Sequence, residues 1–236
     1  MNPVLNKKLL DKFSYGNQEA MTINGVINKS FILWMLLAAG AYLGWKNPTA
    51  ALPLLIPAFI ISIILAFIIV FKPSTAPFLS PVYAFGEGLL MGTITLFFEK
   101  DYPGIAFNAI FLTVCVLFCM LAAFRAGIIK PTKKFKLIMF VSMSAIFLLY
   151  LVEFILSVCG VTGFTFIYDS TPLGIAFSFI VVIIAAFNLI VDFDLIERCV
   201  YMRAPKYMEW YGAFALMVTI IWLYLEILRL LGKTRR

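Results

Sequence analysis

ALPLLIPAFIISIILAFIIVF, residues 51–71, contains no charged side chain. As a helix rising about 1.5 Å per residue it would extend roughly 30 Å, the thickness of a bilayer's hydrocarbon core. Inside lipid each backbone N–H and C=O must be paired within its own segment, so a run of this length becomes a helix. A membrane strand would need about ten residues of alternating polarity, and no such alternation occurs. Working outward, six more apolar runs fall at 30–45, 79–98, 104–124, 137–158, 172–191 and 210–231, the first expected to begin earlier, near Val26. Seven runs leave little chain over. The spacing predicts an all-α polytopic membrane protein: a seven-transmembrane-helix bundle over 30–231, a cytoplasmic N-terminal segment over 1–29 and a basic C-terminal tail over 232–236.

Composition points the same way. Of 236 residues, 63% are apolar and 13% charged, and the mean hydropathy is +1.01. Soluble domains run at about 45–50% apolar and about 25% charged. A soluble enzyme, a disordered chain and a nucleic-acid-binding domain are excluded. The net charge of +7 does not indicate DNA or RNA, because the bases lie in short loops between apolar runs. Residues 1–29 are mixed and polar, and no cleavable signal peptide is expected.

Histidine is absent, which removes His-based acid–base catalysis and His-ligated metal. Cys115, Cys119, Cys159 and Cys199 form no CxxC. Cys115 and Cys119 read as small buried apolar residues. No cofactor is implied beyond a transient Ca2+. Orientation follows from Lys and Arg. With the N-terminus in the cytoplasm, thirteen of the nineteen bases fall inside: Lys7, Lys8, Lys12, Lys29, Lys72, Arg125, Lys130, Lys133, Lys134, Lys136, Arg198, Arg203 and Lys206. Lys46, Lys100, Arg229, Lys233, Arg235 and Arg236 fall outside. The chain is expected in the cell inner (plasma) membrane.

The informative residues are acids within or bordering the spans: Glu87, Glu153, Asp192, Asp194 and Glu226, with Glu209 at a cytoplasmic edge. A charge at mid-membrane costs about 2.5–3.5 kcal/mol on insertion scales. With almost no bases inside the runs, these acids are expected either to carry protons or to bind cations. Glu87 sits in Gly86-Glu87-Gly88, and Gly88 and Gly92 have a helix-contact spacing. It reads as a carboxyl facing a narrow polar interior, or as a protonated acid bonded to a neighbouring carbonyl. Glu153 and Glu226 fall at similar depth and would share a proton or cation; alternatively Glu226 pairs with Arg229 at i+3. Asp192 and Asp194 are about 200° apart on a helix and are no chelating pair. Asn188 shares a face with Asp192, and Arg198 shares one with Asp194. The two are candidates for a protonation switch, the alternative being an Asp194–Arg198 helix-end ion pair. By depth, Glu153 and Glu226 are outer, Glu87 central, and Asp192, Asp194 and Glu209 inner. That order suggests a discontinuous column of carboxyls offering a cation successive weak sites, loose for calcium, which prefers six to eight oxygens.

The seven spans, with Phe193-Asp194-Leu195-Ile196 closing the sixth and Leu223-Tyr224-Leu225-Glu226-Ile227-Leu228 in the seventh, resemble the transmembrane Bax inhibitor motif family. Ala20-Met21-Thr22-Ile23-Asn24-Gly25-Val26-Ile27-Asn28-Lys29 is similar to its bacterial YccA-like branch. The resemblance covers essentially the whole chain. It implies a pH-sensitive calcium leak gated by two aspartates, one on each of the last two long helices, that share a proton. Asp194 matches the first position. Matching Leu-Tyr-Leu-Glu puts Glu226 at the second; aligning on the closing Leu-Leu-Gly puts Thr219 there, and Glu209 is a third partner for Asp194. The family's second-helix arginine has no counterpart in 51–71. The branch also implies the other reading, a non-conducting regulator of a membrane protease complex. The expected partners are therefore the lipid bilayer, calcium or other cations, and such a complex, with no nucleic acid. Lys130–Lys136 and Arg198–Lys206 would serve docking, anionic lipid or orientation alone. An intramembrane protease would need aspartates on two helices, and only one span offers them, so no enzyme is expected.

Overall fold

Threonines start three of the helices. In the computed structural model, which describes residues 19–159 and 170–235, Thr22 Oγ1 accepts from Gly25 N at 2.9 Å, Thr132 Oγ1 from Phe135 N at 3.2 Å and Thr171 Oγ1 from Gly174 N at 3.2 Å. Each satisfies a backbone donor that the first helical turn leaves open. The helices are α1 (Ile23–Lys46), α2 (Leu55–Phe71), α3 (Ala76–Asp101), α4 (Ile105–Arg125), α5 (Lys133–Val158), α6 (Pro172–Tyr201) and α7 (Met208–Thr234). One helical turn, Pro48–Ala51, and a 3-10 turn, Leu52–Leu54, lead into α2. Among the described residues seven helices are long and apolar enough to cross a membrane, and the protein is an all-α polytopic bundle. Lys7, Lys8, Lys12 and Arg236 lie outside the described residues.

Two helix ends depart from expectation. α1 begins at Ile23, because Thr22 caps it there, so the polar 23–29 stretch is helical. α7 runs to Thr234, taking Gly232, Lys233 and Thr234 into the helix rather than a tail. The cysteines also differ: Cys199 is buried, but Cys115 is half-buried and Cys119 and Cys159 are exposed. Cys119 lies on a membrane-crossing helix, where lipid supplies the apolar surroundings that a soluble protein must supply from its own core. The same reason covers the exposed Phe71, Phe78 and Phe107.

The fold divides into two units, one of residues up to Thr93 with Asp194–Met217, the other of Ile94–Phe193 with the chain from Val218 on. In the first, α1 and α3 cross in backbone contact. A Cβ on Gly40 or Gly44 would land on the carbonyls of Phe85 or Leu89, and one on Gly88 or Gly92 on those of Leu37 or Ala41. Small residues four apart on both helices allow this approach. Leu33, Val26 and an edge-to-face pair, Tyr83 and Phe214 with centroids 5.1 Å apart, are buried in the same unit. In the second unit, Glu99 caps the start of α4, accepting from Gly104 N at 2.6 Å and Ala106 N at 2.9 Å across a turn where Gly104 has φ 81°. Tyr224 and Thr95 share a 2.8 Å hydrogen bond, and Gly232 packs on the Phe98 ring.

Candidate functional site

In the second unit, α7 presents Thr219, Trp222, Glu226, Arg229 and Lys233 at alternating steps of three and four residues, which is one helix face. α6 presents Ser178, Val181, Ala185, Asn188 and Asp192 in the same rhythm. The stripes meet antiparallel. Asn188 Nδ2 donates to Thr219 Oγ1 at 3.2 Å at one end, and Lys233 Nζ donates to Ser178 Oγ at 2.7 Å and to the Gly174 carbonyl at 3.1 Å at the other. Val181 and Ala185, both fully buried, lie between. From Thr219 to Lys233 this polar seam runs about 21 Å at the helical rise.

At its first end Thr219 accepts the Asn188 amide and gives its own proton to Asp192. Asp192 is 8% exposed, and its Oδ2 is buried without a hydrogen-bond partner among the described residues. In the middle, Glu226 is 1% exposed. Its Oε1 accepts from Tyr150 OH at 3.0 Å, Trp222 Nε1 at 3.2 Å and Arg229 Nη1 at 3.0 Å, while Oε2 accepts from the same Arg229 nitrogen at 3.0 Å. Arg229 also donates to Tyr150 OH at 2.6 Å and lies 5.1 Å from the centre of its ring. A buried carboxylate is tolerable when a cation and further donors offset its desolvation, and Glu226 has both.

The first unit holds Asp194, Glu209 and Glu87, and Glu153 belongs to the second. Asp194 Oδ2 pairs with Arg198 Nε at 2.7 Å. Glu209 is buried, and its Oε1 accepts from Thr22 N at 3.1 Å and Thr22 Oγ1 at 3.0 Å. It stands in the first turn of α7 and against the start of α1, where both helix dipoles favour an anion. Around it, Met21 N bonds the Ala204 carbonyl at 2.8 Å, Lys206 pairs with Glu19, and the Lys29 ammonium lies 5.1 Å above the Trp210 ring. Glu87, half-buried on α3, bonds Ser62 of α2. Glu153, half-buried on α5, lies one turn beyond Tyr150.

One expectation is corrected here. Composition of the membrane runs leaves the acids almost without counter-charge. Arg229 neutralises Glu226, and Lys233 is 5% exposed within α7. Arg229 stands near the end of the run 210–231, and Lys233 falls beyond it only because hydropathy closes that run at 231 whereas α7 continues to Thr234. Among the described residues, no three His, Cys, Asp or Glu side chains converge as a metal site.

A family model described as Bax inhibitor 1 like matches residues 2–236. The chain belongs to that family. No curated protein and no solved structure matches it. Membership is compatible with the bacterial YccA-like branch and establishes a multi-pass membrane protein in contact with the bilayer. Within this Bax inhibitor 1 like protein, the residues singled out on the last two helices fall into distinct settings. Thr219 is bonded to Asp192, Glu226 to Tyr150 and Arg229, Asp194 to Arg198, and Glu209 to Thr22. Tyr150, Ser178 and Lys233 were not foreseen as site residues. The signal for Lys233 was its place seven residues beyond Glu226, on the same helix face.

Proposed function

We propose that the protein is a passive, proton-responsive cation leak, with calcium as its principal ion, and that Asp192 is its titrating group. The observation that carries this reading is the buried Asp192 oxygen with no donor among the described residues, in a carboxyl that Thr219 also bonds. A carboxyl oxygen left bare in an apolar interior demands a positive partner, which a proton or a passing cation supplies. One carboxylate with hydroxyl, amide and water oxygens is too few ligands to store calcium and suits a weak transient site. The N-terminus is taken as cytoplasmic and the membrane as the cell's inner one. Protonation of Asp192 removes the attraction and slows the flux.

The test is calcium and manganese uptake by liposomes containing the purified protein, across pH 5–8. Wild-type flux is expected to fall as pH falls. Asp192→Asn is expected to abolish that dependence, while Glu87→Gln and Asp194→Asn report whether the other acids take part. A wild type that moves no cation, or an Asp192→Asn profile identical to it, overturns the reading. Absence of flux together with co-purification of a membrane protease would favour the non-conducting regulator instead.

A further inference from the structure

A helix that opens Thr-x-x-Glu caps itself. The threonine hydroxyl takes the backbone N–H three residues on, and the glutamate carboxylate reaches back to the threonine N–H. α1 opens Thr22-Ile23-Asn24-Gly25 and keeps only the first half of that exchange, Thr22 Oγ1 accepting from Gly25 N at 2.9 Å. The second half comes from Glu209, 187 residues away, whose Oε1 accepts from Thr22 N at 3.1 Å and from Thr22 Oγ1 at 3.0 Å. Gly25 makes the room, since a Cβ there would overlap the Glu209 carboxyl group. Glu209 is 2% exposed and lies at the N-terminal ends of both α1 and α7, so the two helix fields favour its charge in the same sense. Beside this contact Met21 N bonds the Ala204 carbonyl at 2.8 Å, Ala20 bridges to Pro205, and Lys29 lies over the Trp210 ring. All of these residues belong to the first unit.

We propose that Glu209 is a latch: a capping carboxylate lent by α7 that fastens residues 20–25 to the start of that helix and lets them open as a unit while the bundle stays folded. Among residues 19–25 only Met21 is buried. A segment with so little buried apolar surface and a handful of hydrogen bonds opens at a free energy well below that of global unfolding. Moving the first turn of α7 withdraws the cap, so a shift at the α6–α7 turn is passed to the start of α1. The latch stands independently of the leak reading.

The experiment uses the full chain in detergent, with the four native cysteines replaced by alanine, and follows labelling of Met21→Cys by a water-soluble maleimide. Leu33→Cys, at a fully buried position further along α1, reports global unfolding. Glu209→Ala is expected to raise the Met21→Cys labelling rate about tenfold or more, as loss of hydrogen bonds to a charged group does, and to leave Leu33→Cys unchanged. Gly25→Ala separates a latch from an ordinary helix end. Helix propensity alone favours alanine and would slow opening up to about fivefold. With Glu209 present the added methyl expels the carboxylate, and labelling is expected to rise instead. In the Glu209→Ala background that space is vacant, and Gly25→Ala is expected to slow labelling. The same sign in both backgrounds overturns the latch, and so does a parallel rise at Leu33→Cys. If Glu209→Ala cannot be recovered, Gly25→Ala is compared with Asn24→Ala, at an exposed position in the same turn. Faster labelling with Gly25→Ala supports the latch, and equal or slower labelling overturns it.

Discussion

Glu226 shows what a single residue in the membrane demands. Four polar contacts from three side chains surround it, and all three are amphipathic or cationic groups able to sit in an apolar bundle. Breaking a buried ion pair costs about 3–5 kcal/mol because one charge is left bare. Arg229 is 26% exposed, so Arg229→Met is expected to cost less, about 2–3 kcal/mol. Tyr150→Phe removes bonds to Glu226 and to Arg229 but leaves those two charges paired with each other, and is expected to cost about 1–2 kcal/mol. Denaturant or thermal unfolding of the two variants in detergent checks the order; a Tyr150→Phe loss larger than that of Arg229→Met contradicts it. The i+3 pairing of Glu226 with Arg229 was legible in the sequence as one of two readings. Tyr150 was not, because its partner lies 76 residues away and nothing local in α5 marks which face meets α7. Nor was the orphaned Asp192 oxygen, since its isolation depends on how neighbouring helices close around it.

At the scale of the helices, position and small-residue spacing were readable and partners were not. The spacing of Gly88 and Gly92 announced a close contact, and the structure supplies the other half, Gly40 and Gly44 of α1. The two glycines flanking Glu87 look alike in sequence and differ in space. A methyl on Gly88 would strike the Leu37 carbonyl, while one on Gly86 would meet only Ser62 Oγ, at 3.9 Å. Gly88→Ala is therefore expected to destabilise by about 1–3 kcal/mol through overpacking. Gly86→Ala is expected to be neutral or stabilising by up to about 1 kcal/mol, from helix propensity. Thermal unfolding separates them, and equal behaviour of the two variants would mean that α1 and α3 do not cross in backbone contact. Helix ends were less readable than helix centres. Hydropathy falls off gradually, whereas α1 is started by a hydroxyl on Thr22, and α7 is prolonged past its apolar run by bases that find partners inside the protein.

For the whole molecule, the seven crossings were legible because the bilayer imposes one length and one polarity on each. The expected orientation rests on the Lys and Arg bias, which Arg229, Lys233, Arg235 and Arg236 at the C-terminal end oppose. The structure changes that count. Arg229 is paired with Glu226, Lys233 is buried against Ser178, and Arg235 donates to the Pro103 carbonyl at 3.0 Å. The positive-inside bias acts through bases in short loops that stay on one side; three of these four are instead satisfied by the protein itself. The weight of the expectation then falls on Lys130, Lys133 and Lys134, which are all exposed in the α4–α5 loop and at the start of α5. With the four native cysteines replaced by alanine, single cysteines at Lys130 and Arg203 are expected to resist a membrane-impermeant thiol reagent added outside intact cells and to react in inverted vesicles. Cysteines at Asn47 and Tyr102 are expected to show the opposite pattern. If Lys130 and Tyr102 react from the same side, α4, the helix between them, does not cross. If all four are reversed, the burial of Lys233 and Arg229 did not remove them from the charge balance that sets orientation.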